Sequence, residues 1–176
     1  TLSSSSAASD VYKRQSTISF WMKTSQTGSN TDWQAPGLVG LSGATANQDL
    51  FYSFINASGN MGSSAGGGAA VQSNFVVNDN TWRYVTVSRN STTGEFKFYI
   101  NGVLNGSGNS GAGLKTQSFF DFGATTKLWG GGGFIFYEGS MDSIRMSSSI
   151  QSDNRIKAEY KFTTDTHVQI STPENL

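Results

Sequence analysis

At 176 residues, the chain is long enough for one domain with a substantial core, and the absence of cysteine removes disulfides, thiolate metal sites and cysteine nucleophiles together. Twelve basic and twelve acidic residues give zero net charge, and no Lys/Arg cluster forms a phosphate-binding stripe, which argues against nucleic acid as a partner. Only 14% of residues are charged, and 21 glycines, 2 prolines and 12% aromatics point to many short strands joined by tight turns, in a make-up that suits a bacterial or viral surface protein. No apolar run approaches the roughly 20 residues of a membrane span, so no membrane insertion is expected.

Residues 1–15 (TLSSSSAASDVYKRQ) have no helical or strand period. Part of this run, SAASDVYKRQ, resembles a translated sequencing adapter. Whether artefactual leader or native polar linker, it is expected outside the core. From Ser16 the pattern changes: in STISFWMKT, Ile18, Phe20 and Met22 share one face, and Ser19, Trp21 and Lys23 the other. A polar loop over residues 25–35 contains Asn30, Asp32 and Trp33. GLVGLSG and LFYSFINA read as short strands, residues 62–68 as a glycine/serine tract, and residues 69–77 as extended again.

The clearest stretch is WRYVTVSRNSTTGEFKFYINGVLNG, residues 82–106. Val85 and Val87, then Phe96, Phe98 and Ile100, alternate with polar or tyrosyl neighbours, as half-buried strands require. Asn101-Gly102 accepts the positive φ values of a type I′ hairpin. Residues 107–113 are expected to form a flexible loop, and residues 115–122 and 126–129 further strands. FIFYEGSMDSIRM (134–146) reads as one long strand with a bulge at Gly139. Ser152 is a candidate N-cap for a helix ending at Tyr160, with Ile156 and Tyr160 on its apolar face. Residues 163–176 read as a peripheral tail. Two motif matches fail on context. Gly106–Gly111 fits G-x-G-x-x-G but no helix follows, and Gly62–Gly66 fits G-x-S-x-G but lies among glycines. His167 is the only histidine, so a transition-metal site is not expected.

The run VVNDNTWRYVTVSRNSTTGEFKFYINGVL, followed by YEGSMDSIRMSSSIQSDNRIKAEY, resembles laminin-G-like domains of the concanavalin A-like lectin/glucanase superfamily. The positions that carry the resemblance are Trp82, Tyr99, Asn101, Gly102, Tyr137, Gly139, Asp142 and Arg145. It implies an all-β fold, an antiparallel two-sheet jelly-roll sandwich with one short C-terminal helix, over residues 16–162. It also implies a first strand upstream of Ser16, which the residues there do not reveal, and a structural Asp142 that ties down backbone near Arg145. Calcium in such domains sits at a loop rim among Asp side chains and carbonyls; Asp32 and Asp49 are the candidate ligands. Relatives with glucanase activity place carboxylates at alternate positions of one strand. Here Glu138 and Asp142 are four residues apart, roughly 13 Å on an extended strand and beyond the range of glycosidase pairs. The chain is therefore expected not to be an enzyme.

Sugar binding calls for exposed aromatics that stack on pyranose rings, beside polar groups for the hydroxyls. The candidates are Trp33 with Asp32 and Asn30, and Phe134 after its four glycines. Trp21, Tyr84 and Tyr99 lie opposite the aliphatic set and are open to lining a concave sheet or to covering the sandwich. The expectation is a non-catalytic module that binds a glycan or a surface protein, within a larger extracellular, cell-surface or virion protein whose other domains are further partners. A structural spacer or decoration domain without its own ligand is the rival, and a glycoside hydrolase ranks last.

Overall fold

The computed structural model describes residues 15–41, 46–115, 121–127 and 133–164. Twelve strands occur among them: β1 (Ser16–Lys23), β2 (Gly37–Leu41), β3 (Leu50–Ile55), β4 (Asn60–Ala65), β5 (Val71–Val76), β6 (Arg83–Asn90), β7 (Glu95–Ile100), β8 (Val103–Asn109), β9 (Asp121–Phe122), β10 (Ala124–Lys127), β11 (Gly133–Phe136) and β12 (Ser140–Ser147). One helix, α1 (Asp153–Thr164), follows. All pairings are antiparallel. One sheet runs β12-β1-β6-β7-β8, a second runs β5-β4-β3-β2-β9, and β10 pairs with β11. This is the jelly-roll sandwich that the strand pattern and the resemblance imply. The expected strand upstream of Ser16 and the tail beyond Thr164 fall outside the described residues.

The first sheet follows directly from its alternation. Ile18 pairs with Val87 and Val87 with Phe98, while Phe20 pairs with Val85 and Val85 with Ile100. Each set therefore forms a row across three strands, and every member is 2% exposed or less. Leu38, Leu50, Tyr52, Met61 and Val71 of the second sheet pack against these rows. Tyr52 meets Phe96 edge-on at 5.9 Å, and its hydroxyl donates to the Ser16 carbonyl at 2.9 Å, so one side chain joins the sheets by packing and by hydrogen bond. The Asn101-Gly102 turn has positive φ at both residues, 52° and 73°. Tyr84 N donates to Asn101 Oδ1 at 3.0 Å, which locks the turn to β6.

Arg89 lies fully buried beside this core. Its guanidinium stacks over Phe96 and donates from Nη2 to the carbonyls of Gly111 and Gly113 at 3.0 and 2.9 Å. Those bonds hold the chain after β8 in place.

Four expectations change. Most of the glycine/serine tract is strand: residues 60–65 form the inner strand β4, and only residues 66–68 lie in the turn after it. Its residues are small because the Phe54 ring lies directly over Gly62, where a Cβ would collide with it. The polar stretch after Gly106 continues β8 to Asn109. A Cβ at Gly106 would come within 2.8 Å of the Gln72 carbonyl, and one at Gly108 within 2.8 Å of the Val71 side chain, so β8 and β5 approach too closely for larger residues. Residues 134–146 are not one strand. They divide into β11 and β12, which belong to different sheets, and Tyr137–Gly139 makes the corner. The bulge lies at Ser143–Ile144, opposite Phe20, rather than at Gly139.

The corner is tied to β1. Tyr137 Oη donates to the carbonyls of Lys23 (2.9 Å) and Ser140 (3.2 Å), and Thr24 Oγ1 donates to Glu138 O at 2.5 Å. Burial pushes the Tyr137 hydroxyl up to about 12.

Two outcomes follow from this packing. Gly106→Ala should lower stability by about 1–3 kcal/mol by wedging β8 from β5, read as a reduced midpoint in urea unfolding; an unchanged midpoint would show that the two edges are free to separate. Tyr137→Phe should weaken the fold by about 1 kcal/mol near neutrality. Because the folded-state value is raised, that contribution is complete below the ordinary phenol value of 10 and is lost as pH rises through about 12. Guanidinium unfolding across this range should find the wild-type advantage shrinking, and a gap that stayed constant would exclude the hydroxyl as its source.

Candidate functional site

The aromatic residues on the outer face of the first sheet are largely covered. Tyr84 and Tyr99 are buried and Trp21 is half-buried, because α1 lies across them. The helix starts where a cap is available: Arg155 N donates to Ser152 Oγ at 3.3 Å, and Asp153 in the first turn and Lys161 in the last complement the helix dipole. Tyr99 Oη donates to Asp153 Oδ1 at 2.7 Å and fixes the helix start to β7. Burial first, and the Asp153 carboxylate second, raise the Tyr99 hydroxyl well above its usual range.

Further along the helix, Ile156 is buried, and the Tyr160 ring stacks on Tyr84 at 6.1 Å and meets Trp21 at 6.1 Å. Trp21 and Tyr84 are themselves 5.3 Å apart. The Asn101-Gly102 turn tucks underneath, where a Cβ on Gly102 would lie 3.1 Å from Lys157 Cα and Tyr160 Cβ. Both apolar positions expected of the helix face the sheet.

The opposite helix face, with Arg155, Ala158, Glu159 and Phe162 at i, i+3, i+4 and i+7, looks along β12. Between the two runs a groove of adjoining cavities. The largest of these, about 460 Å³, is lined by Trp21, Trp82, Asp142, Ser143, Arg145 and Phe162, with Thr163 at its end. Trp82 is 43% exposed and Phe162 is 72% exposed, so two large rings stand open at its mouth. A second cavity of about 310 Å³ lies beside Ser19, Arg145, Gln151, Arg155 and Glu159.

Asp142 in this cleft does tie down its neighbour, as the resemblance implies. Its Oδ1 accepts from Ser143 N at 2.6 Å and Ser143 Oγ at 3.3 Å, and Ser143 holds a left-handed φ of 53° at the bulge. Its Oδ2 takes no hydrogen bond from the described residues and faces solvent with the exposed side chain. Arg145 Nη1 donates to Glu159 Oε1 at 3.0 Å, joining β12 to α1. Glu138 lies in the corner before β12 rather than on it, so Glu138 and Asp142 do not share a strand.

The residues singled out from the sequence lie elsewhere. Asn30, Asp32 and Trp33 are together at the 3₁₀ turn Asp32–Gln34, beside the second sheet. Asn30 Oδ1 accepts from Ala57 N at 3.3 Å. Asp32 accepts from Trp33 N through Oδ1 at 2.8 Å and from Ser64 Oγ through Oδ2. Trp33 is half-buried and packs against Ala35, Phe51 and Phe54. Phe134 is in β11, opposite Thr126, and its side chain lies outside what the structure describes.

For calcium, Asp49 is 5% exposed and lies near Lys115, whose ammonium is lowered by burial and by Arg89 and raised by Asp49. Asp32 already accepts at both oxygens. Among the described residues no three His, Cys, Asp or Glu side chains converge on a metal position, and Asp32 and Asp49 alone do not supply the six to eight oxygens calcium takes.

A laminin G family model, described as the concanavalin A-like lectin/glucanases superfamily, matches residues 2–157. The chain belongs to this superfamily. No curated protein matches it significantly. Three solved structures resemble this superfamily member in fold. The CBM40 module of the Ruminococcus gnavus IT-sialidase, bound to alpha2,3 sialyllactose, has a TM-score of 0.64 at 18% identity, over 88% of this chain and 86% of that one. The heptameric SAP-like pentraxin of Limulus polyphemus has 0.58 at 16%, over 82% and 68%. The binding domain of Paraclostridial Mosquitocidal Protein 1 has 0.58 at 16%, over 86% of this chain and 38% of that one. No helix among the described residues is long and apolar enough to cross a membrane.

The groove depends on the docking of α1. Ile156→Ala should remove about 2–5 kcal/mol and expose Trp21, read as a lower unfolding midpoint and a red-shifted tryptophan emission in the native baseline. A native emission spectrum identical to wild type would mean that the helix stays seated without its anchor.

Proposed function

We propose that this domain is a non-catalytic glycan-binding module of a larger extracellular, cell-surface or virion protein, and that the cleft between β12 and α1 is where it binds. One observation carries the reading: Trp82 and Phe162 stand open beside Trp21, with Asp142 Oδ2 and Arg145 in the same concavity. Aromatic rings offer their faces to the C–H side of a pyranose, while a carboxylate and a guanidinium accept from and donate to its hydroxyls. The resemblance in fold to a sialidase module solved with a bound saccharide supports this reading. Glycoside hydrolysis gains no support, because the cleft holds one unpaired carboxylate, Asp142, with Glu159 engaged by Arg145.

A glycan panel, followed by titration of the best member, tests the reading. Trp82→Ala should weaken binding about tenfold or more, as removal of a central aromatic anchor does. Trp33→Ala should leave it unchanged. The reverse pattern would move the site to the Asp32–Trp33 patch, and no saturable binding across the panel would favour a spacer without a ligand. Repeating the titration in calcium and in chelator tests metal control, and equal affinities would exclude it.

A further inference from the structure

The aromatic cleft is not isolated. Arg145 lines it and also lines the two cavities that continue along α1, which share Arg155 and Glu159. We infer that these cavities form one site for an acidic saccharide, whose ring lies in the aromatic cleft and whose carboxylate or sulfate is received by Arg155 together with Arg145. The inference rests on the glycan-binding reading and adds the chemical class of the ligand.

Three observations carry it. The first is charge. At this end of the groove two guanidiniums stand against one carboxylate, Asp142 lying in the aromatic cleft at the other end, and Glu159 is engaged by Arg145 at 3.0 Å. Arg155 therefore has no counter-ion among the described residues. In a chain with zero net charge and only 14% charged residues, a cation left uncompensated inside a concavity is not the by-product of a basic surface.

The second is the wall opposite Arg155, which is already braced by its own hydrogen bonds. Thr17 Oγ1 donates to Ser149 O at 2.8 Å and accepts from Gln151 N at 3.0 Å, and Gln151 Nε2 donates to Ser147 Oγ at 2.6 Å. A wall fixed in advance loses little conformational freedom when a ligand arrives.

The third is continuity. Phe162 lines the cleft and the intervening cavity, one helical turn from Ala158 and two from Arg155, so ring and anion would be held by one face of one rigid helix. A guanidinium fork matches the planar carboxylate and the sulfate oxygens, which a lysine in its place would meet only as a point charge.

The test is a panel that pairs each neutral glycan with sialylated, uronic-acid and sulfated counterparts, read with the intact chain. The acidic members should bind about tenfold or more tightly than their neutral counterparts, with an advantage that falls as salt rises. Arg155→Ala should remove most of that advantage and weaken acidic members far more than neutral ones, since Arg155 is exposed and holds no other side chain. Glu159→Gln should strengthen acidic binding by releasing Arg145. Preference for carboxylates, for sulfates or for both upholds the inference and names the anion. Equal binding of neutral and acidic members overturns it while leaving the glycan-binding reading intact, and failure to bind any member overturns both. An acidic preference that survives Arg155→Ala largely undiminished, or a loss that falls equally on neutral glycans, overturns the assignment of the anion to this subsite.

Discussion

Between Ser16 and Lys23 the backbone of β1 hydrogen-bonds to β6 along one edge and to β12 along the other. Few strands in the molecule carry as much of the architecture. The pairing with β12 joins Thr17 to Ser147, Thr17 Oγ1 reaches on to Ser149 O, 132 residues along the chain, and the register sets where Asp142 and Arg145 project. The Tyr137 and Thr24 bonds at one end of β1, and the Tyr52 hydroxyl at the other, brace it in both directions. Without this strand β12 would have no partner in the sheet, and the groove would have only one wall.

The same strands divide their side chains by chemistry as well as by direction. Inward positions are mostly Val, Ile, Met or Phe and make the sandwich core, with Arg83 and Arg89 at the two ends of β6. Outward positions on β1, β6 and β7 are Ser19, Trp21, Tyr84, Thr86 and Tyr99, a mixed surface that neither water nor a second sheet would satisfy well. The helix resolves this by covering the tyrosines and giving Tyr99 a carboxylate partner, while leaving one rim of Trp21 open. Tyr84, pushed up first by burial and then by the nearby Glu159 charge, remains a neutral apolar floor at physiological pH. Polar and aromatic surfaces thus meet at the edge of the helix, which is where the cleft lies.

The central hairpins were legible because alternation and an Asn-Gly turn agree, and no tertiary contact is needed to read either. β4 and the end of β8 were not, because their defining feature is what lies against them: a phenylalanine ring over Gly62, and the backbone of another strand against Gly106. Small residues chosen for close approach look, in one dimension, like a flexible tract. The split between β11 and β12 was hidden because Tyr137 continues the apolar alternation while its hydroxyl turns the chain onto β1.

The cleft was missed for a related reason. Trp82 reads as the opening of a strand and Phe162 as the last residue before a tail, and only folding places them beside Trp21 and Asp142. Trp33, flanked by polar residues, looks exposed but has Phe51 and Phe54 to pack on. One local signal was available: Arg155, Glu159 and Phe162 recur on a single face of a helix whose other face is already committed to Ile156 and Tyr160.

Because Trp21, Trp82, Asp142 and Phe162 come from widely separated parts of the sequence, the cleft exists only when β12 and α1 have docked onto the finished sheet. Bringing together segments so far apart in sequence is entropically costly, so the cleft is only as stable as the finished sheet that carries it. As the binding site proposed above, it would have its occupancy linked to the whole folding equilibrium. A ligand bound there would clasp β12 and α1 together and stabilise the native state in proportion to the logarithm of its concentration over its dissociation constant. For the surface-displayed module proposed above, where unfolding would expose the chain to proteases, the act of binding would also be a means of surviving there.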